Sequence, residues 1–219
     1  MIIYSVADSI YFDLYFDLWS QQMNKFYPHH RKIIAVHGLN DSIQSKAQQA
    51  NVDLVEVSPA TGFVSHPIRN HFYLMRWMYL PYQHNENILE TQINCLPVNS
   101  SQDFPEDNLG VEHLRISRWK RKKGQEPYKG GVSAAVFTPY GAKKVVEQAS
   151  KMIDSAPETD HPMNVWQEDN LVHEHIISEQ QFPKIGRNLR DNTRWITSAS
   201  STKFSASKKL EILQHYINL

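Results

Sequence analysis

Cysteine is all but missing: Cys95 is the one thiol among 219 residues. This excludes an internal disulfide framework and favours a reducing compartment. Long apolar runs are also missing, and none approaches the ~18 residues that a membrane-spanning helix needs. The stretch from Met1 to Ile10 has no cationic start and carries Asp8, so it does not read as a secretory leader. The expectation is a soluble, cytoplasmic protein. Charge of one sign is not in excess either. Lys plus Arg number 23 and Asp plus Glu number 23, so the whole chain lacks the basic footprint of a general polyanion binder. No G-x-G-x-x-G follows the first apolar strand, there is no Walker-type loop, and Gly38 stands alone after the second strand. An ordinary dinucleotide or P-loop enzyme is thereby disfavoured. A lone cysteine and scattered histidines offer no zinc ligand pairs at useful spacing. His173-Glu174-His175 is the exception, but i, i+2 histidines share a side only on a strand, and a polar helix end is the plainer reading.

The composition that remains is globular: 41% hydrophobic, 21% charged, with eight Gly and eleven Pro. A chain of this length buries roughly 70% of its unfolded surface and needs no staple to fold. Its first half alternates between two hydrophobic periods. Ile2 to Val6 reads as a buried strand, and Ile10, Leu14, Trp19, Met23 and Phe26 mark an amphipathic helix closed by Pro28. Ile33 to Val36 forms a second strand, and Asp41 is an N-cap candidate for a helix through Ala50. Val52 to Val57 is a third strand, Pro67 to Tyr82 a second long helix, and Ile88 to Leu96 a fourth strand. Strand and helix alternating in this way predict a parallel sheet covered by helices, with ligands beyond the carboxyl ends of the strands. Those ends are Val6-Ala7-Asp8, Val36-His37-Gly38, Val57-Ser58 and the region of Gln92-Ile93-Asn94.

The second half is less regular. Residues 99–110 read as a polar loop and Val111 to Trp119 as a strand. Residues 115–129 carry seven cations against one anion, Glu126. Val132 to Phe137 reads as a buried strand after Gly130-Gly131, with a helix from Pro139 or Gly141 to about Ile153. Val165 to Ile177 reads as helical, and residues 183–203 as polar and basic. Ser205 or Ser207 caps a last helix.

Four stretches have residue types suited to chemistry. Gln92 and Asn94, two apart at a strand end, would face one side of an extended chain, where amides can serve a ribose or a phosphate; turn bonds are the plainer use. Glu168 and Asp169, opening a helix, fit either a dipole partner or a general base. The basic loop 115–129 is either a solvated surface or a lure for an anionic substrate. Arg187, Arg190 and Arg194, with Trp195, form an exposed connection or close over a diphosphate, since guanidinium forks suit phosphate oxygens.

Taken in order, over roughly residues 1–180, these pieces resemble the nucleotide-sugar glycosyltransferases of the GT-A fold. The resemblance implies one α/β domain over 1–219, a central mostly parallel sheet flanked by helices. Residues 1–98 would be the nucleotide-binding half, and 99–219 the acceptor-binding half and C-terminal tail. Tyr4-Ser5-Val6-Ala7-Asp8 is similar to the first strand and loop that cup the base, so Val6, Ala7, Asp8 and Tyr11 are implied donor contacts. Arg76 matches an arginine that helps hold the donor. Gly130 and Gly131 match a glycine-containing strand start bordering the sugar pocket. Trp166-Gln167-Glu168-Asp169 is similar to a W-x-E-D motif, which makes Asp169 the implied base and Glu168 the second candidate. Gln92-Ile93-Asn94 stands where the family has D-x-D, whose aspartates hold Mn²⁺ or Mg²⁺ against the leaving diphosphate. Gln92 and Asn94 are weak metal candidates because neutral amides bind hard cations poorly. Three outcomes follow: Arg187, Arg190, Arg194 or Lys129 takes over the leaving-group charge; a metal binds through water and Glu90; or the protein only binds. The implied partner is a nucleoside-diphosphate sugar, with a glycan, protein or modified DNA as acceptor. The alternative is a non-catalytic module of the same fold that recognises an anionic ligand or nucleic acid through 115–129.

Overall fold

The computed structural model describes residues 1–57, 76–97, 112–114, 134–155, 185–187, 195–197 and 205–217. The chain begins with β1 (Ile2–Asp8), α1 (Ser9–Phe26), β2 (Arg31–His37), α2 (Asp41–Gln49) and β3 (Asp53–Glu56). Arg76 to Met78 are helical, and a 3-10 turn, Tyr82–His84, leads into β4 (Ile88–Thr91) and β5 (Cys95–Pro97). Then come β6 (Glu112–Leu114), β7 (Ala134–Phe137), α3 (Pro139–Ser155), β8 (Ile185–Arg187), β9 (Trp195–Thr197) and α4 (Ala206–Ile217). The helix expected over 165–177 and residues 67–75 of the one expected before Pro81 lie outside the described residues.

The main sheet has the order β3-β2-β1-β4-β7-β6-β8. β3, β2, β1 and β4 are mutually parallel, β7 runs antiparallel to both β4 and β6, and β6 and β8 are parallel. The expectation of a mostly parallel sheet flanked by helices therefore holds. Because successive strand residues point to opposite faces, the apolar runs of β1 and β2 feed two separate cores. Ile3, Ile34, Val36 and Leu89 pack against Phe12, Phe16, Trp19 and Met23 of α1, Ile43 of α2 and Leu213 of α4. Ile2, Tyr4, Ile33, Ala35, Ile88 and Phe137 pack on the other face, against Trp77, Leu80 and the α3 residues Ala142, Val145 and Ala149.

Local chemistry sets the helix ends. Asp8 caps α1, its carboxylate accepting from the Tyr11 amide at 2.6 Å. Asn40, not Asp41, caps α2 through the Ile43 amide at 3.0 Å; Asp41 sits one residue inside, where its charge meets the helix dipole. The Thr138 hydroxyl accepts from Gly141 at the start of α3, and Ser205 from Lys208 at the start of α4.

Two expectations are corrected. The strand expected over 88–96 is two strands, because the chain turns at Ile93-Asn94 and β5 leaves the main sheet to pair antiparallel with β9. The stretch 183–203 is not merely a polar connection: it contains β8 and β9, each too short to produce a visible alternation.

Lys32 is the odd residue of β2. It is buried on the α1 side, with its ammonium donating to the His30 carbonyl at 3.0 Å. Burial lowers its pKa from the ordinary lysine value. The unfolded chain thus binds more protons between the two values, so this residue's destabilising effect shrinks as pH rises toward about 10.4. Lys32→Met is expected to raise the thermal midpoint at pH 7, and the advantage should narrow as the pH is raised toward 10. A midpoint equal to or below the wild type at pH 7 would contradict this account of Lys32.

Candidate functional site

The sheet changes winding direction at β1. β2 and β3 are added on one side of it, and β4 on the other. β2 stays in register with β1 through Asp8↔His37, whereas the β4 register runs only from Ile2↔Ile88 to Tyr4↔Glu90. Val6, Ala7 and Asp8 therefore stand beyond the paired part of β4, at the crevice where open sheets of this kind take ligands.

Several of the expected donor residues meet here. Val6 and Asp8 are half-buried and Ala7 buried at the end of β1. Tyr11, in the first turn of α1, is 44% exposed and its ring lies 5.6 Å from that of Tyr15. Gly38 follows β2 with φ +77°, a left-handed backbone that side-chain-bearing residues rarely adopt, and comes close to Ser9. His37 Nδ1 lies 3.2 Å from the Val57 carbonyl. At the end of β4 the Cys95 amide donates to the Gln92 carbonyl at 2.8 Å, closing a turn that buries Ile93 and leaves Gln92 and Asn94 half-buried. Gln92 and Asn94 are thus turn residues, and the expectation of two amides on one face of an extended strand is corrected.

The register also carries across the sheet. Thr91 pairs with Ala134, Ala134 with Leu114, and Leu114 with Arg187. Arg187 accordingly ends β8 at the level where β4 ends, three strands or about 14 Å away. On its far side the 188–194 stretch returns to Trp195, opposite Pro97, while Thr197 lies opposite Cys95. The described residues on either side of the arginine segment are thus Arg187, three strands from the end of β4, and Trp195, opposite Pro97 in β5. Leu114 and Ala134 likewise fix both ends of the stretch containing the basic loop 115–129, Gly130 and Gly131. Those residues, with Glu168, Asp169, Arg190 and Arg194, lie outside the described residues.

Arg76 is inside the protein. Its Nε lies 3.0 Å from Oε1 of Glu90 and its Nη2 2.6 Å from Oε2, while its guanidinium sits 4.2 Å from the Trp77 ring centre. The two side chains are 3% and 0% exposed. Burial, and next the Glu90 charge, push the neighbouring Tyr4 hydroxyl well above its ordinary pKa, so it stays neutral. On the opposite face, the Trp19 indole donates to the Thr91 hydroxyl at 3.1 Å. Sequence reading missed both contacts. The signal was present for Glu90, a carboxylate inside an otherwise apolar strand, which requires a buried partner.

Whether a divalent cation suits this rim depends on the side chains present. Gln92 and Asn94 are uncharged, and both Glu90 oxygens are engaged by Arg76. Among the described residues no three His, Cys, Asp or Glu side chains gather in one place. Mg²⁺ and Mn²⁺ take hard, charged oxygen ligands, so the described side chains do not fit one. The expectation that Glu90 would assist a metal is corrected on the same ground.

No protein-family profile matches the chain, and no curated protein matches it by sequence. Solved structures do match. An active-site mutant of LgtC superposes with a TM-score of 0.57 at 12% identity, over 98% of this chain and 96% of that one. The glycosyltransferase GlyE of Streptococcus pneumoniae gives 0.58 at 11% identity, over all of this chain and 60% of that one. The CTP:phosphocholine cytidylyltransferase LicC of the same species gives 0.57 at 13% identity, over 97% of this chain and 99% of that one. The chain therefore has a GT-A-like fold. Among the described residues no helix is long and apolar enough to cross a membrane.

Breaking a buried ion pair by removing one partner costs about 3–5 kcal/mol, because the other charge stays behind. Arg76→Leu is expected to lose that much in urea unfolding, a large share of the roughly 5–15 kcal/mol that holds a domain folded. A loss under about 1 kcal/mol, the range of exposed pairs, would mean that Glu90 finds water or another cation.

Proposed function

We propose that this protein transfers a sugar from a nucleoside-diphosphate sugar to an acceptor hydroxyl, with no metal held at the Gln92–Asn94 turn. The observation that supports the reading is the switch in strand order at β1 in a GT-A-like sheet, where β1 ends in Asp8, followed by Tyr11, and the neighbouring β4 leads into Gln92 and Asn94. The galactosyltransferase LgtC, in complex with donor and acceptor sugar analogues, superposes at a TM-score of 0.52 and 15% identity, over 87% of this chain and 74% of that one. That likeness supports the donor class.

In this reading the donor lies across the ends of β1, β2 and β4. The exposed Tyr11 ring offers a face for the base. Asp8 already receives the Tyr11 amide, so its remaining lone pairs suit a ribose hydroxyl and would repel a phosphate. Gln92 and Asn94 donate to diphosphate oxygens or sugar hydroxyls. Arg76 acts from within, through Glu90. As the bond from the anomeric carbon to the diphosphate oxygen breaks, negative charge gathers on the leaving group. Lys129, Arg187, Arg190 and Arg194 stabilise it, since fixed cations beside the leaving group lower the barrier. Asp169, with Glu168 as the second candidate, takes the proton of the attacking acceptor hydroxyl. Gly130 and Gly131 let the backbone approach the sugar.

The reading is tested by melting the protein with a panel of nucleoside-diphosphate sugars and following release of the nucleoside diphosphate. A specific donor is expected to raise the midpoint by mass action. Asp169→Asn is expected to keep that shift while turnover falls by about 10² or more. No shift with any donor, together with salt-sensitive oligonucleotide binding, would favour the non-catalytic module instead. Transfer at the wild-type rate by Asp169→Asn would remove that residue from the role of base.

EDTA is expected to leave most of the transfer rate intact. Complete loss, restored by Mn²⁺, would reject the metal-free form of the mechanism while leaving the donor class standing.

A further inference from the structure

β4 is only four residues long, all of them buried, and it delivers the chain directly into the Gln92–Asn94 turn. Its last two residues are held from opposite faces of the sheet. Glu90 is gripped by Arg76 through two bonds, 3.0 and 2.6 Å, and Thr91 accepts from Trp19 at 3.1 Å. Beyond them the Cys95 amide closes the turn on the Gln92 carbonyl, and Ile93 is buried in the α1-side core.

A buried ion pair is a poor source of net stability, since well-packed apolar residues of similar size usually do as well or better. What the pair adds is geometry. A planar guanidinium fork on a carboxylate fixes both distance and angle, which an apolar contact does not. From these observations we infer that Arg76 and Glu90 are positioning residues. Their fork sets where the end of β4 stands, and so where Gln92 and Asn94 present their amides. The consequence for catalysis rests on the reading of this rim as the donor site. Arg76 then contributes to donor handling through β4, with no contact to the ligand itself.

The test replaces both charges at once, in R76M/E90M, so that neither member of the pair is left facing an apolar replacement of the other. The variant's thermal midpoint is expected to stay close to the wild type. Exchange of the Cys95 amide, which reports on turn closure, is expected to quicken on the order of tenfold or more. With a donor that the wild type uses, kcat should fall on the order of tenfold or more while donor KM changes little, because a misplacement of about 1 Å costs rate. A purely structural pair would instead lower the midpoint and leave both local exchange and the kcat-to-KM split unmoved. Wild-type Cys95 exchange in a folded R76M/E90M protein overturns the inference. Faster exchange with kcat at the wild-type value overturns its catalytic half. Faster exchange in a protein whose wild type answers to no nucleotide sugar keeps the positioning role and rejects the functional reading. If R76M/E90M does not fold, Arg76→Lys, which keeps the charge but cannot form the fork, is put through the same measurements with the same overturning outcomes.

Discussion

The architecture depends on β1 being paired by parallel strands on both of its edges. β2 continues the sheet in one direction and β4 in the other, so the carboxyl ends of β1 and β4 lie side by side at the point where the strand order changes direction, the place where open sheets take ligands. Pairing on both edges, with helices over both faces, demands a strand with almost no tolerance for polarity. Ile2, Ile3 and Tyr4 meet that demand with no exposed surface at all. Exposure returns only beyond the stretch paired with β4, at Val6 and Asp8, which are half-buried. The same constraint therefore builds the two cores and leaves the rim.

That rim poses an electrostatic problem. Two unit charges 4 Å apart near a protein surface interact by about 4 kcal/mol, whereas a neutral hydrogen bond contributes about 1 kcal/mol net. Gln92 and Asn94 can orient a diphosphate but cannot offset the charge it gathers as it leaves. In the proposed reading that charge is met by cations from elsewhere in the chain. The whole-chain charge of zero hides the answer, because residues 115–129 alone hold seven cations against one anion. The register links Thr91, Ala134, Leu114 and Arg187 in one row. Leu114 and Ala134, and Arg187, thus mark at one level of the sheet where the two cation-rich stretches leave and rejoin it.

The first half of the fold was legible because its signals are long and physical. β1 and β2 are continuous apolar runs, and α1 repeats its apolar residues at helical spacing over eighteen positions. The second half was legible only in part. β8 and β9 are three residues each, and three residues cannot show a period; their existence depends on partners distant in the chain. The break after Thr91 was missed for a related reason. Cys95-Leu96 is as apolar as Ile88-Leu89, and nothing local says that the two pairs belong to different sheets. Asn40 took the cap expected of Asp41 because capping depends on backbone angles, here φ −145° and ψ 170° at Asn40, which composition does not reveal. At the site itself the polar ends of β1 and β4 were readable. For the Arg76–Glu90 contact only half of the signal was local: a carboxylate inside a buried apolar strand calls for a partner, but nothing in the sequence names Arg76 as that partner.

A GT-A-like sheet also serves a cytidylyltransferase, LicC, so the fold alone does not choose between moving a sugar and moving a nucleotidyl group. The turn after β4 bears on what either would need. Attack at phosphorus spreads charge over phosphoryl oxygens, which enzymes of that kind meet with metal ions bridging the phosphates. Attack at the anomeric carbon passes through a sugar with cationic character, and the negative charge is confined to the departing diphosphate. Two amides, with the nearby carboxylate already committed to Arg76, leave either reaction in need of positive charge from another source. The proposed sugar transfer therefore stands or falls with cations beside the departing diphosphate, since neutral amides at the end of β4 orient it without meeting its charge.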